Sequence, residues 1–105
     1  MLLRVFRARI FPGREPDFAR WLVEEATPMM DNQPGVRDYW IGYPHEGSSE
    51  FAFVSVWDDL DSLIAVRGEG WREAEIFPEE VEIVAEAWVH HYDLPDAAPT
   101  SGAAA

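Results

Sequence analysis

The stretch "EFAFVSVW", Glu50 to Trp57, is apolar on both of its alternating positions. Successive side chains of a strand point to opposite faces of its sheet. Phe51, Phe53 and Ser55 therefore share one face, and Ala52, Val54 and Val56 share the other. A sheet with one wet face would alternate apolar with polar residues. "LLRVF", Leu2 to Phe6, is likewise apolar on both parities. Both strands belong to a sheet that needs covering twice.

Outward from that strand, turn and cap signals set the other elements. Leu2 to Phe11 reads as a first strand ended by Pro12-Gly13. Glu15-Pro16-Asp17 has the form of a helix start, and Phe18, Leu22, Ala26 and Met29 follow at helical spacing with Trp21 alongside. Pro28 makes Thr27 a poor helical residue, so the helix is expected to kink or end there. "VRDYWIGY", Val36 to Tyr43, reads as a second strand, joined by a "PHEGSS" hairpin loop to the third. Asp59 is placed to cap a second helix through Leu60, Leu63, Ile64 and Arg67. "GEG" at Gly68 to Gly70 interrupts it, and a short helical piece with Trp71 follows. The last strand, "VAEAWVHHYDLP", runs to about Leu94. "DAAPTSGAAA", 96–105, reads as a low-complexity mobile tail after a single domain over 1–95.

Strand, helix, strand, strand, helix, strand is the split βαβ order of an α+β, ferredoxin-like antiparallel sheet with both helices on one face. Two helices cover one face only, and the chain of 105 residues has nothing left for the other. The expectation is a homodimer that pairs the uncovered sheet faces.

Composition narrows the function classes. The formal net charge is -12, all eight Lys+Arg residues are arginine, and there is no cysteine. Such an acidic surface disfavours nucleic acid and anionic membranes as partners. Disulfides and thiolate metal sites are excluded. "MLLRVFRARIF" lacks the long apolar core of a signal peptide, and no segment reads as a membrane span. A soluble cytoplasmic protein is the expectation. There is no G-x-S-x-G motif, phosphate-binding glycine loop or dinucleotide fingerprint. The pairs Glu24-Glu25 and Glu79-Glu80 read as solvated faces.

Several short stretches, taken in order, resemble a known family. They are "FPG" after the first strand, "QPGVRDYWIG" leading into the second, "VWDDLDSL" at the end of the third, then "GEGWREAEIFPEE" and "VHHY". Over roughly Leu2 to Leu94 the pattern is similar to the antibiotic-biosynthesis-monooxygenase-like family of dimeric α/β barrels. The resemblance implies a cavity between each sheet and its own helices. It also implies one of several chemistries: oxidation of electron-rich phenolic compounds by dioxygen without a cofactor, haem degradation, or action on small signalling or quinone-like molecules. The haem-degrading branch uses an asparagine on the first strand and an axial histidine on the second helix. Leu2 to Phe11 holds no asparagine and Leu60 to Ile76 no histidine, so no cofactor is expected.

Cofactor-free oxygenation requires a substrate anion held dry and oriented beside dioxygen. Arg67 is the candidate to hold an oxyanion, and His91 the candidate proton acceptor. Trp71, Trp40, Trp88, Tyr92 and His90 are candidate walls and contacts for a small aromatic ligand. Trp57 and Trp21 read as packing anchors, and Arg67 equally suits the C-terminal end of its helix. His90 and Tyr92 lie on one face of the last strand and His91 on the other, so either set faces the cavity. The resemblance favours His91 and Tyr92 as the matching "HY" pair. His91 with Asp93 is too little for a metal site, and none is expected. Set against the enzyme are a non-catalytic barrel that binds a small apolar ligand and a structural dimerisation module with a filled interior.

Overall fold

The computed structural model describes residues 1–95, so the tail expected at 96–105 lies outside the described residues. Four strands form one antiparallel sheet: β1 (Leu2–Ile10), β2 (Val36–Gly42), β3 (Glu50–Trp57) and β4 (Val84–Asp93). Their spatial order is β2-β3-β1-β4, with β1 central between β3 and β4. This is the ferredoxin-like arrangement expected from the element order.

The first helical segment does not end at Thr27. It runs as α1 (Glu15–Trp21), a π-helical turn over Leu22–Ala26, and α2 (Thr27–Asp31). The wide turn is how the chain accommodates Pro28, which has no N–H to donate. The Thr27 N–H reaches back five residues to the Leu22 carbonyl. The Val23 carbonyl, next in that register, accepts instead from Thr27 Oγ1 at 2.9 Å. The second helix, α3 (Leu60–Arg67), is capped by Asp59, whose carboxylate accepts from the Ser62 N–H at 2.8 Å. Gly68, at φ 67°, ends it and opens a 3₁₀ turn over Gly68–Arg72. Gly35, at φ 89°, lies where the loop into β2 crosses α3. A Cβ there would come within 2.6 Å of Ser62 Cβ, so only glycine fits.

The strand pairings fix which parity faces the helices. On β3 it is Phe51, Phe53, Ser55 and Trp57; on β1 it is Leu2, Arg4, Phe6, Ala8 and Ile10. Two apolar clusters result. One joins Ala8, Ile10 and Phe51 to Phe18 and Leu22; the other joins Leu2 and Trp57 to Leu63. Between them runs a cross-strand row that is polar throughout, Tyr39–Ser55–Arg4–His91. The core is therefore divided at the middle of the sheet.

The opposite parity has no covering layer. Leu3 and Val5 of β1, Val54 and Val56 of β3, Trp40 of β2 and Trp88 of β4 share that face. Trp40 is 52% exposed and Tyr92 53%. Arg7 crosses the face, its guanidinium 5.2 Å from the Trp88 ring centre and bidentate to Glu50 at 2.9 and 3.2 Å. No helix among the described residues is long and apolar enough to cross a membrane.

Candidate functional site

Where the core divides, a cavity of about 60 Å³ opens between the sheet and the helices. Its apolar walls are aromatic and thioether: Phe6 and Phe53 from the sheet, Trp21 and Phe77 to one side, and Met29 and Met30 from α2. The π-helical turn contributes Leu22 and Ala26, so the irregularity forced by Pro28 lies directly over the cavity. The polar lining is Arg4, Ser55, Arg67, Glu75 and Glu80.

Arg4 is the central group. It is 3% exposed and forms no ion pair among the described residues. Its Nη1 donates to the Trp71 carbonyl at 2.7 Å and meets His91 Nε2 at 2.9 Å, while Nη2 donates to the Glu73 carbonyl at 3.4 Å. Burial, with help from nearby Arg67, brings its pKa down to about 10, so it stays protonated at neutral pH. A guanidinium only donates, so His91 Nε2 must accept. That assigns the imidazole proton to Nδ1. Burial, then the Arg4 charge and His90, also lowers the His91 pKa, which favours the neutral ring. The Trp71 ring meets His91 edge-on at 5.0 Å between centres, with Arg72 over its face at 4.7 Å.

Glu80 is the second group, and it overturns the reading of Glu79-Glu80 as a solvated face. Glu80 is 2% exposed, because the 3₁₀ turn Pro78–Glu80 points its side chain inward. Its Oε1 accepts from the Phe77 N–H at 3.1 Å. Burial pushes its pKa up to about 7, against the opposing effect of the Phe77 N–H. Arg67 lines the cavity from the end of α3 and pairs with Glu75 at 3.2 Å. Ser55 Oγ accepts from Trp57 Nε1 at 3.0 Å, so its hydroxyl proton remains available to donate.

Of the residues expected at a site, Arg67 lines this cavity. His91 and Trp71 stand behind Arg4 and hold it without lining the space themselves. Trp40, Trp88, His90 and Tyr92 are carried to the opposite face of the sheet, so the structure does not bring them together with Arg67 and His91. Trp57 and Trp21 pack as anchors and also help wall the cavity. Sequence reasoning missed Arg4, Ser55 and Glu80. A signal existed for the first two, since each is the polar exception in the buried parity of its strand.

Comparisons with solved structures give the same fold at low identity. A candidate antibiotic biosynthesis monooxygenase from Deinococcus radiodurans superposes with a TM-score of 0.77 at 14% identity, covering 97% of this chain and 100% of that one. A protein of unknown function from Nitrosomonas europaea gives 0.72 at 19%, covering 96% and 95%. A MhuD variant with two manganese protoporphyrin IX molecules bound per active site gives 0.65 at 13%, covering 95% and 100%. No curated protein matches the sequence. The profile of the antibiotic biosynthesis monooxygenase family matches residues 1–77, and the chain belongs to that family.

Proposed function

We propose that the protein is a cofactor-independent monooxygenase that converts a small, electron-rich phenol to a quinone. The observation that carries this reading is that one aromatic-walled cavity is lined by both buried Arg4 and a buried Glu80 of pKa about 7. A carboxyl poised near neutrality suits proton transfer, and a fixed cation suits the anion that results. By the measure in which one water needs roughly 10–15 Å³, the cavity of about 60 Å³ holds about four to six waters, so the proposed ligand is no larger than a single ring. Residues 60–76 offer no histidine for haem iron, and His91 Nε2 is committed to Arg4.

In the proposed reaction the Glu80 carboxylate takes the phenol proton, and Arg4 and Arg67 stabilise the phenolate. The phenolate passes one electron to triplet dioxygen, and the radical pair combines to form a carbon–oxygen bond at the para position. The resulting peroxide breaks its O–O bond with loss of the para hydrogen. One oxygen atom stays as the new carbonyl and the other leaves as water. The phenol supplies all the electrons. His91, with its Nε2 lone pair engaged, positions Arg4 in place of the proton-accepting role first expected of it.

The partner is proposed to be a second copy of the chain, packed through the uncovered sheet face. The test of the activity is oxygen uptake with single-ring phenols in metal-free buffer under ¹⁸O₂. One labelled oxygen is expected in the quinone, analysed after immediate reduction to the quinol. Glu80→Gln is expected to lower kcat by about 10²-fold, and wild-type rate should climb as pH rises through about 7. Absence of uptake, or unlabelled product, overturns the reading. The second reading, a carrier that binds without turnover, is favoured by the volume of about 60 Å³, which leaves little space for dioxygen beside a ring. Binding of phenols without oxygen consumption establishes it.

A further inference from the structure

Arg4 is a buried cation whose three hydrogen-bond partners, two carbonyls and a neutral imidazole, are all uncharged. Burying a charge without a counterion is costly, and buried arginines ordinarily meet a carboxylate. Here the carboxylates in reach are otherwise engaged. Glu75 pairs with Arg67, and Glu80 is drawn toward its neutral form by burial. With Glu80 protonated, Arg4 and Arg67 of the cavity lining face the single carboxylate of Glu75, which leaves one positive charge unbalanced.

The geometry leaves that charge accessible. Arg4 Nε makes no hydrogen bond among the described residues, and no buried side-chain polar atom among them is orphaned. That edge of the guanidinium therefore keeps some accessible surface, and Arg4 lines the cavity. The neighbouring position in the cross-strand row is Ser55, which is 2% exposed, lines the same cavity and has its hydroxyl proton to donate. The other sides of the guanidinium are tied to Trp71, Glu73 and His91, so it is held in one orientation.

We propose that Arg4 and Ser55 form a built anion site, and that the cavity selects a single-ring aromatic ligand that arrives carrying a carboxylate. This deepens the reading of the cavity as a small-aromatic site and rests on it. The oxidised phenol would then be an acid-bearing one, with Arg4 as the specificity-determining contact for its carboxylate, Arg67 left to stabilise the phenolate, and His91 as the positioning residue of Arg4. A bound carboxylate supplies the negative charge that ionised Glu80 would otherwise carry, so it favours the proton on Glu80. With an acid-bearing phenol the rise in rate is therefore expected at higher pH than with a neutral one. The charged groups acting on Glu80 are Glu79, Arg67 and Glu75, while Arg4 lines the same cavity with neutral His91 behind it.

Benzoate and benzamide separate charge from shape, since they share size and ring. Calorimetric titration of the full chain at pH 6 is expected to show benzoate binding at least about 10-fold more tightly than benzamide. The preference should shrink at pH 8, where Glu80 ionises. Arg4→Met is expected to abolish the preference, and His91→Phe to reduce it with Arg4 still present. Equal affinity for the two ligands, tighter benzamide, or no benzoate binding overturns the proposal. The wild-type comparison alone decides it if Arg4→Met does not fold. Neither ligand is an electron-rich phenol, so this result is independent of oxygen uptake. Turnover of neutral phenols with no benzoate preference would sink the anion site and leave the oxygenase standing.

Discussion

Glu80 connects chemistry to stability through one proton. Its carboxyl titrates at about 7 in the fold against an ordinary value of 4.5, so the folded state prefers the neutral form. The stability this contributes is complete below about pH 4.5 and is lost as pH rises through about 7. Glu80→Gln keeps an oxygen for the Phe77 N–H and cannot ionise. The variant is expected to be more stable than wild type at pH 8 by on the order of 1–3 kcal/mol, and equal to it at pH 4. Urea unfolding at the two pH values measures this; identical differences at both would show that Glu80 is an ordinary exposed acid. Nothing in "FPEE" announces the burial, because the segment is held from afar, by Trp21 of α1 against Phe77 and by the Phe11 N–H on the Ile83 carbonyl. Arg4 was more legible. "LLRVFRARI" places it among Leu2, Phe6, Ala8 and Ile10, but the other parity also holds apolar residues, so alternation did not mark which set is buried.

At the level of elements, the caps and turns were readable because their chemistry is local. Asp59 before Leu60 is an N-cap by residue type alone, and its carboxylate sits 2.8 Å from the Ser62 N–H. Asp59→Ala is expected to cost about 1 kcal/mol, seen as a lower midpoint in thermal unfolding. An unchanged midpoint would mean that packing, with no help from the cap, fixes the start of α3. The π-helical turn was not readable in the same way. Pro28 signals that an α-helix cannot continue unchanged, yet a break, a kink and a widened turn all remove the conflict. Thr27, able to serve the Val23 carbonyl with its hydroxyl, and Leu22 and Ala26, buried against the sheet, favour the widened turn. The phase of β4 was open for a related reason. "AWVHHYD" is aromatic and polar on both parities, and only pairing of Arg4 with His91 settles which side faces the helices.

For the whole molecule, the uncovered face remains the central physical fact. Val54 sits at its centre, beside Val5 on one neighbouring strand and Trp40 on the other. The protein is expected to sediment as a dimer at micromolar concentration, and Val54→Asp as a folded monomer. A well-folded wild-type monomer at that dilution would remove the proposed subunit pairing. The uncovered face was legible in the sequence, because both parities of β1 and β3 hold apolar residues and two helices cover only one side of the sheet. A cavity between the sheet and its own helices was expected from the family resemblance, but its lining was not legible from the residues, because it arises where two apolar clusters fail to meet across a polar row.

The five tryptophans are sorted by this architecture. Trp21, Trp57 and Trp71 lie between sheet and helices, and Trp40 and Trp88 lie on the bare side. Intrinsic fluorescence thus carries two separable signals. Acrylamide reaches the Trp40 indole directly, so its quenching tests the proposed subunit pairing, whereas Trp21 and Trp57 border the cavity and are placed to report its filling. Replacing Trp40 and Trp88 with phenylalanine would leave a chain whose emission follows occupancy alone.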